Sequence, residues 1–275
     1  MNWERRSRIR RMAFGKHRSI FETVDLSPIL DSGGIPLYRQ VKRTLVRLIE
    51  SGRYAPGDCL PSESAISRSL AVSVGTLRKA VDELVLEHVL IRRQGKGTFV
   101  VTHNNDRFLF QFFHVEKRSL ENTQALEYPD VECVSFERAR ASEEEATALG
   151  LRLLDPVFRI GNRLKLAGRP VVFDRFAISA LTFKGLTEKR FVDRQSTVYH
   201  LYQHDYGITV LRAQERARAA SASREASRVL GIAPGLPVLE VHRVALTFGE
   251  KPVEYRVSTI NTHQHDYVSL LSKRS

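Results

Sequence analysis

Cysteine, tryptophan and methionine are scarce in this chain of 275 residues, at two, one and two. Cys59 and Cys133 stand apart with no C-x-x-C spacing, so the sequence offers neither a disulfide framework nor a thiolate metal centre. No apolar run approaches the roughly 20 residues that a membrane-spanning helix needs. The basic N-terminus is not followed by the apolar core of a secretory signal. These absences predict a cytoplasmic protein with no membrane association. Acid is the remaining shortage: 31 Asp and Glu against 43 Lys and Arg leave a formal charge of +12. Such a surplus suits a polyanionic partner, nucleic acid before an anionic bilayer. With 42% hydrophobic residues, the chain can bury the cores of two domains.

Residues 1–34 read as a basic disordered tail. Arg5, Arg6, Arg8, Arg10, Arg11, Lys16 and Arg18 crowd its first part, and "DSGG" closes it as a flexible joint. Such an arm either adds phosphate contacts or is an unstructured extension. The pattern then changes. Tyr38, Val41, Leu45, Leu48 and Ile49 fall on one helical face, with Arg39, Lys42, Arg43 and Arg47 largely off it. Ser51-Gly52 and Pro56-Gly57 end that helix and turn the chain. Ser62 caps a short second helix, with Ile66 and Leu70 pointing inward. Ser73 caps a third, running to about residue 88 on a stripe of Leu77, Val81, Leu84 and Val85. "VLIRRQGKGTFVV" then reads as a β-hairpin.

Three helices and a hairpin over residues 35–100 are the parts of a winged helix-turn-helix. The polar residues left over form the candidate DNA-binding set. They are Arg39 and Ser62, then Ser73, Gly75, Thr76, Arg78 and Lys79 at the start of the third helix. Arg93, Gly95, Lys96, Gly97 and Thr98 complete it in the wing. Free N–H groups and hydroxyls at a helix start hold phosphate. Arg78 and Lys79, one turn on, can reach base edges or backbone. The Gly-Lys-Gly turn is not a nucleotide-binding P-loop, because Lys96 is followed by glycine rather than Ser or Thr.

The run from "PLYRQVKRTLVRLIESG" through "GKGTFV", residues 36–100, resembles the GntR family of bacterial transcription regulators. The resemblance implies a homodimeric winged-helix repressor or activator on a roughly palindromic double-stranded DNA operator. By position, Arg78 matches the family's recognition-helix arginine, and Gly97 lies in the wing turn that enters the minor groove. Ser64 and Val74 stand where the family commonly has arginine, which alters the expected operator sequence rather than DNA binding itself.

After a linker at 101–106, residues 107–270 carry an internal echo. "LGLRLLDPV" (149–157) returns as "LGIAPGLPV" (230–238), 81 residues on, each after a helical stretch and before a hairpin. With further strands at 107–117, 131–140 and 208–220, this predicts an α+β domain: an antiparallel sheet with helices against one face. Arg163 and Lys165, two apart on a strand, share a face and could clamp an anion. Asp174 on the partner strand could accept hydrogen bonds from ligand hydroxyls. The layout resembles the chorismate-lyase-like UTRA effector domain of HutC-type GntR regulators. That resemblance implies a small anionic metabolite (a sugar phosphate, organic acid or phosphonate) that alters the spacing of two DNA-binding heads. It adds Thr197 and Tyr199 as ligand-side hydroxyls and Glu254 and Ser258 as a polar wall.

Two other readings stand beside this one: a second domain that only dimerises, and a lyase-like enzyme. Against the enzyme, the consecutive Glu143, Glu144 and Glu145 point different ways on a helix. His200 and His204 are four apart but lack the glutamate of H-E-x-x-H. No catalytic residue, metal or cofactor is therefore expected, and an enzyme has no use for a fused winged helix.

Overall fold

The computed structural model describes residues 28–29, 34–102 apart from 88, 113–118, and 128–269 apart from 195. Most of the basic tail and most of the expected linker therefore lie outside the described residues; the expectation of disorder to residue 34 is corrected at Ile29, whose N donates to Leu70 O at 3.1 Å and whose side chain packs against the helical core.

In the N-terminal unit, α1 (Leu37–Glu50) buries Val41, Leu45 and Ile49, spaced at i, i+4 and i+8. The next helix, α2 (Glu63–Ser69), is capped by Ser62, whose side chain accepts from Ala65 N. The third, α3 (Val74–Leu86), buries Leu77, Ala80, Val81 and Leu84 against the other two. An antiparallel hairpin follows, β1 (Leu90–Arg93) with β2 (Gly97–Val100). Its turn requires glycine: Gly97 sits at φ 114°, and a Cβ there would meet Cys59 Sγ at 3.0 Å.

A two-stranded ribbon, β3 (Val115–Lys117) with β10 (His265–Tyr267), precedes a larger sheet. That sheet comprises β4 (Asp130–Arg140), β5 (Pro156–Leu166), β6 (Arg169–Ser179), β7 (Arg212–Ser221), β8 (Pro237–Leu246) and β9 (Pro252–Ile260). The spatial order is β4-β5-β6-β9-β8-β7, antiparallel throughout. The order is palindromic because the echo is structural. Strand, helix and hairpin occur as β4, α4 (Glu143–Leu149), β5 and β6, and again as β7, α7 (Arg224–Leu230), β8 and β9. Both helices end on a left-handed glycine, Gly150 and Gly231. The halves meet at β6 and β9, where Arg175 pairs with Val257 on the pseudo-two-fold.

The expectation of helices on one face is corrected. Helices α4 and α7 pack on one face, on Ala177 and Phe173. Between the halves, α5 (Glu188–Val192) and α6 (Val198–Tyr206) insert and cover Phe158, Ile160, Phe176 and Ile178 on the other. With apolar residues on both faces, the central strands bury nearly every position instead of alternating.

The two regions also share a core. Phe248, in the β8–β9 turn, is buried in the cluster that holds Val41, Leu45 and Leu77, and Leu211 packs beside it. Gln203 Nε2 donates to Val101 O across the same junction at 3.3 Å.

Candidate functional site

The expected DNA-binding residues lie on the start of α3 and on the hairpin. Ser73 Oγ accepts from Thr76 N at 3.1 Å and lies 2.8 Å from Thr76 Oγ1. The other first-turn N–H groups find no partner within a helix, and Gly75 beside them is exposed. Arg78 Nε donates to Glu63 Oε2 at 3.0 Å. Glu63 also receives Arg92, which reaches Asp82 as well, so α2, α3 and the wing are tied by an exposed charge network. Exposed pairs of this kind are worth little in water, so Glu63 does not lock Arg78 in place. Arg39 Nε donates to Tyr38 Oη, and Lys79 Nζ lies 4.1 Å from the centre of the same ring. In the wing, Arg93 stacks 4.8 Å from the Phe99 ring, Gly95 and Lys96 are exposed, and Thr98 is half-buried. Ser62 is committed to its cap and to Ser64 Oγ. Val74, where arginine was the family's common choice, is an exposed apolar residue at the first position of α3.

The sheet face under α6 holds a cavity of about 470 Å³. Its floor is a row across four strands, Asn162, Asp174, Ser258 and Val241 in register, with Arg256 and Arg243 paired one row further on. One wall is Arg194 and the start of α6 from Ser196 to Tyr199; His114 and Tyr267 of the ribbon close the other. Arg256 is the centre of a buried network. Its Nε and NH2 fork onto Glu254 at 2.9 and 3.1 Å, and its NH1 donates to Asp174 Oδ2 at 2.6 Å. Ser258 Oγ donates to Asp174 Oδ1, while Tyr199 and Tyr202 hydroxyls donate to Glu254. Burial alone would lower the Arg256 pKa, but Glu254 and Asp174 outweigh it and hold the guanidinium charged. Burial, reinforced by Glu254, pushes the Tyr199 hydroxyl well above its ordinary value. Arg243 donates to Glu215, which also accepts from Tyr267.

Of the expected effector residues, Asp174, Thr197, Tyr199 and Ser258 line this cavity, and Glu254 lies fully buried behind Arg256. Arg163 and Lys165 do not line it, so the expected clamp is not assembled there. Asn162 occupies the cavity face of β5, which turns Arg163 to the opposite one, where it pairs with Glu132. Register shifts by one between Leu164 and Lys165, and Lys165 joins Glu132 in a shallow neighbouring recess. Asn162, Arg194, Arg243 and Arg256 were missed. The signal for the last two was a single arginine amid β-branched residues in each of two long strands, "VHRVAL" and "EYRVST". The His200 and His204 rings stack at 5.6 Å, and His204 pairs with Asp205. Among the described residues no three His, Cys, Asp or Glu are grouped to hold a metal, and no helix is long and apolar enough to cross a membrane.

Residues 37–100 match "Bacterial regulatory proteins, gntR family", and residues 125–266 match the UTRA domain. The HTH-type transcriptional repressor NagR of Bacillus subtilis is 27% identical over 244 residues, 88% of this chain and 97% of that protein. The mannosyl-D-glycerate transport/metabolism system repressor MngR of Escherichia coli is 26% identical over 244 residues, 88% and 99% of the two chains. Among solved structures, the ligand-binding domain of a GntR-family transcriptional regulator from Bordetella bronchiseptica aligns with a TM-score of 0.55 and 29% identity. It covers 59% of this chain and 98% of that one.

Proposed function

From the premise that the chain belongs to the GntR family of bacterial regulatory proteins and carries a UTRA domain, we propose that it is a cytoplasmic transcriptional repressor. It binds a roughly palindromic operator as a homodimer and responds to a small anionic effector in the sheet cavity. The observation that carries this reading is the β8–β9 hairpin. Its strands bring Arg243, Arg256 and Ser258 to the cavity, and its turn plants Phe248 in the core of the helical unit. A ligand that prefers one placement of this hairpin then biases the placement of the DNA-binding unit, which is all that differential affinity requires. The relatives named as repressors support the sign of regulation.

Recognition is by α3 in the major groove, with Arg78 on a base edge and exposed Val74 suited to a thymine methyl. Lys96 and Arg93 serve the backbone beside the wing. The β7 edge is the place for the two-fold. Its ten residues pair continuously with β8, eight of them are exposed, and no bulge blunts the strand. The opposite edge, β4, is bulged and lies under Phe191 of α5. Selection from random duplexes by the full chain tests the reading. It should return two half-sites related by a two-fold; a single unrepeated element, or no shared sequence, would refute it.

A further inference from the structure

We propose that the cavity takes a monoanionic, largely apolar ligand that also presents a hydrogen-bond donor, a molecule of the N-acyl amino acid class, with Arg194 and Asn162 as its polar anchors. This rests on reading the cavity as the effector site, and it narrows the effector away from sugar phosphates and phosphonates.

The charge inventory of the walls carries the argument. Arg256 already faces two carboxylates, and Arg243 has Glu215. His114 loses its proton more readily than usual because it is half-buried. Asp130 lines the exposed rim, and Arg194 is the one cavity-lining arginine with no ion pair to a carboxylate among the described residues. Its NH1 donates to Phe191 O at 2.6 Å, its guanidinium lies 4.4 Å from the Phe191 ring, and its Nε is buried without a partner among the described residues. One uncompensated cation in a desolvated wall matches one carboxylate. A phosphate dianion would bring a second charge that nothing there neutralises.

Hydrogen-bond supply points the same way. A sugar needs several free polar partners, but Ser258 is engaged with Asp174, Tyr199 with Glu254 and Tyr267 with Glu215. Ser196 and Thr197 add hydroxyls at the start of α6, but in the floor the acceptor Asn162 Oδ1, on a residue 1% exposed, is without a partner among the described residues. A ligand N–H placed there satisfies a group that is otherwise buried at a cost. Beside this polar row the floor has an apolar part: Leu164, Val172, Val241 and Ile260 continue into one hydrophobic cluster with Val115. Carboxylate, amide N–H and acyl chain answer these three surfaces in turn.

The test is calorimetric titration of the full chain with hexanoylglycine and, separately, glucose 6-phosphate. Hexanoylglycine should bind more tightly than glucose 6-phosphate. Its affinity should fall at least about tenfold in Arg194→Gln, the loss of a charge-assisted hydrogen bond, and several-fold in Asn162→Leu. Arg194→Lys, which keeps the charge without the fork, should lie between, and it stands in should Arg194→Gln fail to fold. Tighter binding of glucose 6-phosphate, no binding of hexanoylglycine, or equal affinity in the arginine variants and the parent would overturn the proposal. The effector reading fails separately. If hexanoylglycine binds but leaves affinity for a selected duplex unchanged, the ligand class stands and control of DNA binding does not.

Discussion

Two arginine–glutamate pairs in this molecule have nearly the same length and opposite meanings. Arg78 and Glu63 meet at 3.0 Å on the surface of the helical unit, with side chains 60% and 27% exposed. Arg256 and Glu254 meet at 2.9 Å in the sheet domain, with side chains 11% and 0% exposed. In water the first pair gains little and releases its partners cheaply. The second has given up its hydration, so each member depends on the other and on Asp174, Tyr199 and Tyr202. The first is an exchangeable contact, which under the proposed function would trade a carboxylate for DNA. The second is a fixed frame on which a ligand site can be built.

The contrast breaks most readily at Arg256. Arg256→Ala leaves Asp174 and Glu254 buried without their cation and should cost about 3–5 kcal/mol in urea denaturation; a loss below about 1 kcal/mol would make this pair no different from the exposed one. Next comes the shared core. Phe248→Ala should destabilise the helical unit by about 3 kcal/mol, read as an earlier thermal transition of that unit while the sheet domain keeps its own. Arg78→Ala should leave stability within about 0.5 kcal/mol. The same change should weaken operator binding by about 1–3 kcal/mol and relax one base position, measured by fluorescence anisotropy on single-base variants. The smallest effect belongs to Lys96→Ala, which should lower affinity evenly for all duplexes and flatten the salt dependence by about one phosphate contact.

The DNA-binding unit was readable because its signals are local. Ser62 and Ser73 sit at helix starts, apolar residues recur every three or four positions, and a glycine turn separates two short strands. The echo at 149–157 and 230–238 likewise revealed both hairpins and an antiparallel sheet, while the palindromic strand order came from the structure. The cavity was harder because strand parity decides it. Asn162 and Arg163 differ by one position, and one position reverses the face. In strands buried on both sides, the polar alternation that would settle parity is missing. Arg194 lies in the irregular segment between α5 and α6, where no period exists to read. Arg243 and Arg256 look like isolated charges until β8 and β9 are placed side by side.

The palindromic sheet has a chemical consequence at its seam. Aligning "RPVVFDRF" of β6 with "KPVEYRVS" of β9 makes Asp174 and Arg256 counterparts, 82 residues apart and mirrored about the Arg175–Val257 pair. A perfectly repeated unit would set like beside like at that seam, two acids or two bases repelling each other in a dry interior. Here one copy carries the acid and the other the base, and they bond at 2.6 Å. Divergence between the repeats has turned a symmetric liability into a polarity, so the seam has a defined head and tail.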